Sequence, residues 1–300
     1  MKRLAAFIAP ALLVSLLAGG RETERPSLQT LSVPGVPVAL SFRALQPGEV
    51  ILAGLKHDPT VRRVVLRFSG ETRTIESGAG GAAPFALFGL DLGVKPGVYP
   101  LEVKVERLDG SAESSSSNLA IEAKDFPSTR LNVAPSMATP PAAEQERIKR
   151  EQELVAAVLS IRSPLWLADG PFILPLPDFE PFPNFGQRRV YNTTVASIHA
   201  GVDIGAPAGT RTIAANAGRV VLAGDLFFSG HTVIIDHGLG VFTYYCHFSK
   251  LMVRRGDLVK KGDIIALVGS TGRSTGPHLH WSVRIGSARV DPFSLVALLR

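Results

Sequence analysis

Thr275-Gly276-Pro277-His278-Leu279-His280-Trp281-Ser282-Val283 reads as a β-strand with two histidines at a spacing of two. A strand sends alternate side chains to opposite faces, so His278 and His280 project together from one face. Gly276-Pro277 suits the start of a strand, where the missing proline N–H leaves no ladder bond unmade. Such pairs are common on solvated strand faces, and the meaning of this one depends on what else the chain brings to it. Upstream, Ile198-His199-Ala200-Gly201-Val202-Asp203-Ile204 supplies a third imidazole and a carboxylate four residues apart. Gly201, Gly205, Pro207 and Gly209 place that segment on a loop leading into a strand. Imidazole nitrogen and carboxylate oxygen both suit Zn²⁺, and three protein ligands with one open position form the catalytic arrangement. Between the two motifs lies Tyr244-Tyr245-Cys246-His247-Phe248. Alternation there points Tyr245 and His247 one way and Cys246 the other, which brings a fourth histidine toward the same site.

Taken in order, His199-x-x-x-Asp203, Tyr245-x-His247 and His278-x-His280 resemble the lysostaphin-type (LytM-like) zinc endopeptidases, which cut peptidoglycan cross-bridge peptides. Phe185-Gly186-Gln187-Arg188, Ala206-Pro207-Ala208-Gly209-Thr210, Ile235-Asp236-His237-Gly238 and Val259-Lys260-Lys261-Gly262-Asp263 support the likeness, which covers roughly residues 171–295. The resemblance implies one Zn²⁺ per chain, held by His199, Asp203 and His280. It further implies that His247 and His278 are the catalytic groups beside the metal, one as general base and the other bonding the developing oxyanion, without saying which does which. His237 is implied to be structural. Peptidoglycan is then the substrate partner, and hydrolysis of its peptide cross-links by a metal-activated water is the function. A second class shares the fold: LytM-like regulators of cell-wall amidases that have lost the metal, whose activating partner would be a protein. Such relatives lack one or more of the five positions, and all five are present here. The chain has no His-Glu-x-x-His glutamate, so histidine must supply the proton transfers.

Composition agrees with a folded soluble protein. Hydrophobic residues make up 45% and charged residues 19%, the balance of a globular chain. The net charge is +6, and residues 171–300 hold most of it, 13 Lys and Arg against 8 Asp and Glu. A basic surface attracts polyanions, yet no basic helix, zinc finger or RNA-binding signature points to nucleic acid. An anionic wall polymer suits the same charge. Cys246 is the single cysteine, so no intrachain disulfide forms, and it reads as a small buried residue turned away from His247.

The rest of the chain predicts a mostly β protein in several parts. Residues 1–20 begin Met1-Lys2-Arg3, continue as an apolar run too short to span a bilayer, and end in small residues, which reads as an export signal. The expected location is the periplasm or cell envelope, with no stable membrane insertion once the signal is cleaved. Residues 25–130 carry short alternating runs such as Val61–Phe68 between Gly-rich turns, the pattern of an immunoglobulin-like β-sandwich. Within it, Ser114 to Ser117 reads as polar loop. Residues 140–162 are a helical linker rich in strong helix formers. Residues 164–300 form the C-terminal antiparallel β domain of LytM type, opened by a Pro- and Phe-rich strap over 164–185 that forms one wall of a groove. An exported protein of this kind, without a wall-sorting signal, points to cross-links between D-alanine and diaminopimelate rather than polyglycine bridges.

Overall fold

A computed structural model describes residues 28–77, 84–192 and 195–299; the export-signal reading over 1–20 lies outside them. Eight strands build the N-terminal unit: β1 (Gln29–Ser32), β2 (Val38–Phe42), β3 (Val50–Leu55), β4 (Val61–Phe68), β5 (Glu71–Glu76), β6 (Phe85–Gly89), β7 (Gly97–Arg107) and β8 (Ala112–Ile121). They form two antiparallel sheets ordered β1-β2-β3-β6 and β5-β4-β7-β8. Strands two, three and six facing five, four, seven and eight is the immunoglobulin pattern. Alternation explains the faces: Leu101, Val103 and Val105 of β7 point into the sandwich core while Glu102 and Lys104 face water. Ser114 to Ser117 are not a loop. They lie in β8, paired with Leu101 to Lys104 of β7, because an edge strand takes its ladder bonds from its neighbour and leaves serines on its solvated side.

The remaining elements are β9 (Ser128–Leu131), α1 (Pro135–Ala138), α2 (Ala142–Leu159), β10 (Arg188–Tyr191), β11 (Val195–Ile198), β12 (Val202–Gly205), β13 (Arg211–Ile213), β14 (Gly218–Leu226), β15 (Gly230–Asp236), β16 (Val241–Leu251), β17 (Leu258–Val259), β18 (Ile264–Val268), β19 (His278–Ile285), β20 (Ala288–Val290) and α3 (Pro292–Leu298). Nine of them make one antiparallel sheet, running β12-β19-β16-β15-β14-β17 with β13, β18 and β20 attached. Its core holds Val202, Ile204, Val233, Tyr245, Phe248, Leu279, Trp281 and Val283, all fully buried. The strap packs Phe172 and Leu176 into that core, and Pro181 bridges to Ile204. A small sheet, β11-β10-β9, crosses nearby, with β9 parallel to β10. No described helix is long and apolar enough to cross a membrane.

The two units share packing. The runs Val50–Ala53 and Phe85–Phe88 are apolar at consecutive positions, which suits strands covered on both faces. Ile51, Ala53, Ala86 and Phe88 fill the sandwich, whereas Val50 and Leu87 join the C-terminal core beside Ala288, Val290 and Leu295. Contact is tight enough that a Cβ on Gly89 would sit 2.7 Å from that of Ala288. Asp91 accepts from the Nε and Nη2 of Arg289 at 2.9 and 2.7 Å, and Arg43 pairs with both Glu49 and Asp291. The linker helix is docked as well: Val158 meets Val221, Leu222, Leu226, Ile234 and Phe242, and Glu151 accepts the Phe227 N–H at 2.7 Å.

Candidate metal centre

Cross-strand register creates the centre. Asp203 of β12 stands directly opposite His280 of β19, so their side chains share a face. His199 arrives from the loop between β11 and β12, and Gly201 lets that loop pack closely, since a Cβ there would lie 2.5 Å from the Trp281 carbonyl and 2.8 Å from His280 Cε1. His199 Nε2 and His280 Nδ1 are 2.8 Å apart, and Asp203 Oδ1 is 3.1 Å from each. The Asn184 carbonyl, on the strap, accepts the Nδ1–H of His199 at 2.8 Å, which turns the Nε2 lone pair inward. The other oxygen of Asp203 accepts from Asn184 Nδ2 at 3.0 Å and from Arg189 of β10. Burial pushes the Asp203 carboxyl up, but its contacts with the His199 and His280 rings outweigh it and hold the group ionised far below the usual carboxylate range. Burial also draws the His280 imidazole down to about 4, against the pull of Asp203, so it is neutral at physiological pH.

These donors fit a small divalent cation. Ligands ~2.0–2.2 Å from a tetrahedral zinc ion stand ~3.3–3.5 Å apart, a slight spreading of the arrangement seen here. One carboxylate and two imidazole nitrogens constitute a borderline-soft N/O set of the kind zinc takes.

His278 and His247 stand beside it. His278 shares the face of His280, as alternation requires, and its Nε2 is 3.7 Å from Asp203 Oδ1. Its Nδ1–H goes to the Gly276 carbonyl at 2.8 Å. His247 lies with its ring centroid 4.8 Å from that of His278, and its Nδ1–H goes to the Thr271 carbonyl at 2.7 Å. Burial, and then the neighbouring His278 and His280, lower His247 to about 3.

The route by which His247 reaches the site differs from the alternation argument. Tyr245 points into the core, where its hydroxyl accepts the Ala215 N–H at 3.0 Å. Cys246 is opposite His280 and lines the groove wall on the same side. In the β15–β16 register Tyr245 faces Val233 and Phe248 faces His231, so Cys246 and His247 together oppose Thr232. This is a β-bulge, which turns two successive side chains to one face. His247 adopts φ +67° within it, a left-handed conformation that costs ~1–3 kcal/mol and is found where a site demands it. Burial holds the Cys246 thiol well above its ordinary range, so it is no thiolate nucleophile.

His237 lies outside the centre and is fully buried, bonded to Ala217 O and Thr243 Oγ1, both at 2.7 Å. Burial lowers its imidazole from 6.5 to about 4. Between those values the unfolded chain binds a proton that the fold excludes. Stability is therefore full above about pH 6.5 and declines as pH falls toward 4, by about 3 kcal/mol from this residue alone. Urea midpoints across that range should fall, with a shallower slope in His237→Gln; equal slopes would remove His237 as the cause.

Sequence patterning missed Asn184, Arg189, Arg273 and Arg284. The Phe185-Gly186-Gln187-Arg188 motif ends one residue short of Arg189, and Asn184 lies in the strap read as a groove wall.

Known proteins share this region. The sequence pattern described as Peptidase family M23 matches residues 197–292. The chain is 43% identical over 111 residues to the DD-carboxypeptidase/endopeptidase Mpg of Neisseria meningitidis, 37% of this chain and 26% of the relative. It is 38% identical over 109 residues to the peptidoglycan DD-endopeptidase ShyA of Vibrio cholerae, 36% of this chain and 25% of the relative. These matches span about a quarter of the curated relatives' length. A solved Pseudomonas aeruginosa protein described as an M23 peptidase is 30% identical, with 84% of this chain and 95% of that one covered at a TM-score of 0.63.

Proposed function

The chain belongs to peptidase family M23, and we propose that it is a zinc-dependent endopeptidase that hydrolyses peptide cross-links of bacterial peptidoglycan in the periplasm or cell envelope. The carrying observation is the completeness of the centre: three ligand donors converge, and two further histidines offer Nε2 beside them. The names of the Neisseria and Vibrio relatives support peptidoglycan as the target. In this reading residues 164–300 are the peptidase domain, 140–162 its docked linker, 25–130 a positioning domain and 1–20 the export signal.

His199, Asp203 and His280 would hold the Zn²⁺ ion, which would supply Lewis acidity there and lower the pKa of water. The protein's own groups do the rest. Asn184 and Arg189 keep Asp203 Oδ1 turned toward the two ligating imidazoles. With each Nδ1–H committed to a backbone carbonyl, His247 and His278 keep Nε2 for the reaction. One would take the proton of the attacking water at Nε2 and return it to the departing amine, and the other would hydrogen-bond the developing oxyanion. A metal-free regulator would have no use for this set of oriented donors.

The test is bound zinc together with incubation on cross-linked sacculi, with muropeptides analysed by mass. One zinc per chain and conversion of cross-linked dimers to monomers are expected. No zinc and no cleavage would move the protein to the regulator class.

A further inference from the structure

Between the centre and α2 the groove opens into a cavity of about 320 Å³ whose wall holds three arginines, Arg189, Arg273 and Arg284, and no carboxylate. His199, His247 and His280 line its other side, so whatever fills it lies next to the reacting bond. Each guanidinium has unused capacity. Arg189 spends Nη2 on Asp203, but its Nε is buried without a hydrogen-bond partner. Arg273 is sandwiched between Tyr191 and Phe228, its guanidinium carbon 4.0 and 4.5 Å from the two ring centroids. Among the described residues no carboxylate pairs with it, and Arg189 is a like-charged neighbour. Arg284 reaches only backbone carbonyls, those of Ala200 and Val283, at 3.3 Å.

Like charges gathered in a partly desolvated cavity repel one another, and an anion relieves the repulsion. Two aromatic rings hold the guanidinium of Arg273 in place, and its planar fork of donors matches a carboxylate two bonds at a time. Resting on the peptidase reading above, we propose that this cavity is a carboxylate subsite, in which Arg273, with the positive charge of Arg189 beside it, grips the free α-carboxylate of the residue that contributes the nitrogen of the scissile amide. Substrates are then D-alanine-terminated stem peptides or cross-links to a diaminopimelate-type acceptor. A polyglycine bridge has no such carboxylate and is a poor substrate.

Binding and cleavage separate this inference from the reading it rests on. The full chain with Zn²⁺ added is titrated calorimetrically with an N-acylated D-Ala-D-Ala dipeptide and with its C-terminal amide. The acid should bind ~10- to 100-fold more tightly, the span of a charge-assisted bidentate contact. Arg273→Gln should abolish that preference and keep the affinity for the amide. Equal affinity for acid and amide in the unmodified chain, a comparison that needs no variant, overturns the subsite, as does an Arg273→Gln protein that weakens both ligands alike. Cross-linked dimers with the acceptor carboxylate free or amidated then locate the source. Slower cleavage of the amidated dimer assigns the subsite to the acceptor, and equal cleavage with a surviving acid preference assigns it to stem-peptide ends. Acid preference without cleavage of any substrate rejects the peptidase reading and retains the subsite; cleavage without acid preference does the reverse.

Discussion

His247→Ala will bind zinc with the stoichiometry of the unmodified chain and cleave cross-linked peptide ~10²- to 10⁴-fold more slowly, the usual contribution of a positioned general acid or base. Its ring offers no atom to the three-donor cluster of His199, Asp203 and His280, so removal leaves that cluster intact. What disappears is an Nε2 oriented by the bond from Nδ1–H to Thr271 O. The truncation also empties a bulge position held at φ +67°, where alanine is no better suited than histidine, so a modest change in stability accompanies the loss. Metal content and turnover measured on one preparation decide the matter. Loss of zinc would make His247 a ligand, and retained turnover would remove it from the chemistry altogether.

His280→Ala has the opposite signature, losing metal and activity together. Its Nδ1 is within 3.1 Å of both other donors, and a carboxylate with one imidazole is an incomplete set for zinc. Turnover should fall by more than ~10³-fold, since Lewis-acid stabilisation of several kcal/mol goes with the ion. A readout independent of catalysis is available: zinc at ~1,000 times its dissociation constant stabilises the native state by about 4 kcal/mol. Added zinc should therefore raise the melting temperature of the unmodified chain and leave that of His280→Ala unmoved. Stoichiometric zinc in the variant would sink the assignment.

Much of the centre was legible because its motifs are local. In β19 a spacing of two is enough to place His278 and His280 on one face, with Leu279 and Trp281 buried behind them. The glycines around His199 and Asp203 likewise announce a loop leading into a strand, which is how β12 begins. Alternation failed at Cys246 and His247 because a bulge belongs to a pair of strands: whether two residues of β16 oppose one of β15 is written in neither alone. The same holds for Ser114 to Ser117, whose strand state comes from β7, and for Val50 and Leu87, whose burial comes from another domain. Arg189 and Asn184 approach Asp203 from segments 14 and 19 residues away, on a β10 strand and a strap without regular structure.

By itself the sequence determined a mostly β chain, an immunoglobulin-like sandwich ahead of a helical linker, and the identity and order of the histidines and the aspartate. These follow from periodicity, turn chemistry and motif spacing, which are properties of contiguous residues. The tertiary structure decided which way Cys246 and His247 face, how Asn184 and Arg189 hold Asp203, and that three arginines share one cavity beside the centre. Those outcomes depend on strand register and on packing between distant segments, and such free energies exist only once the partner surface is in place.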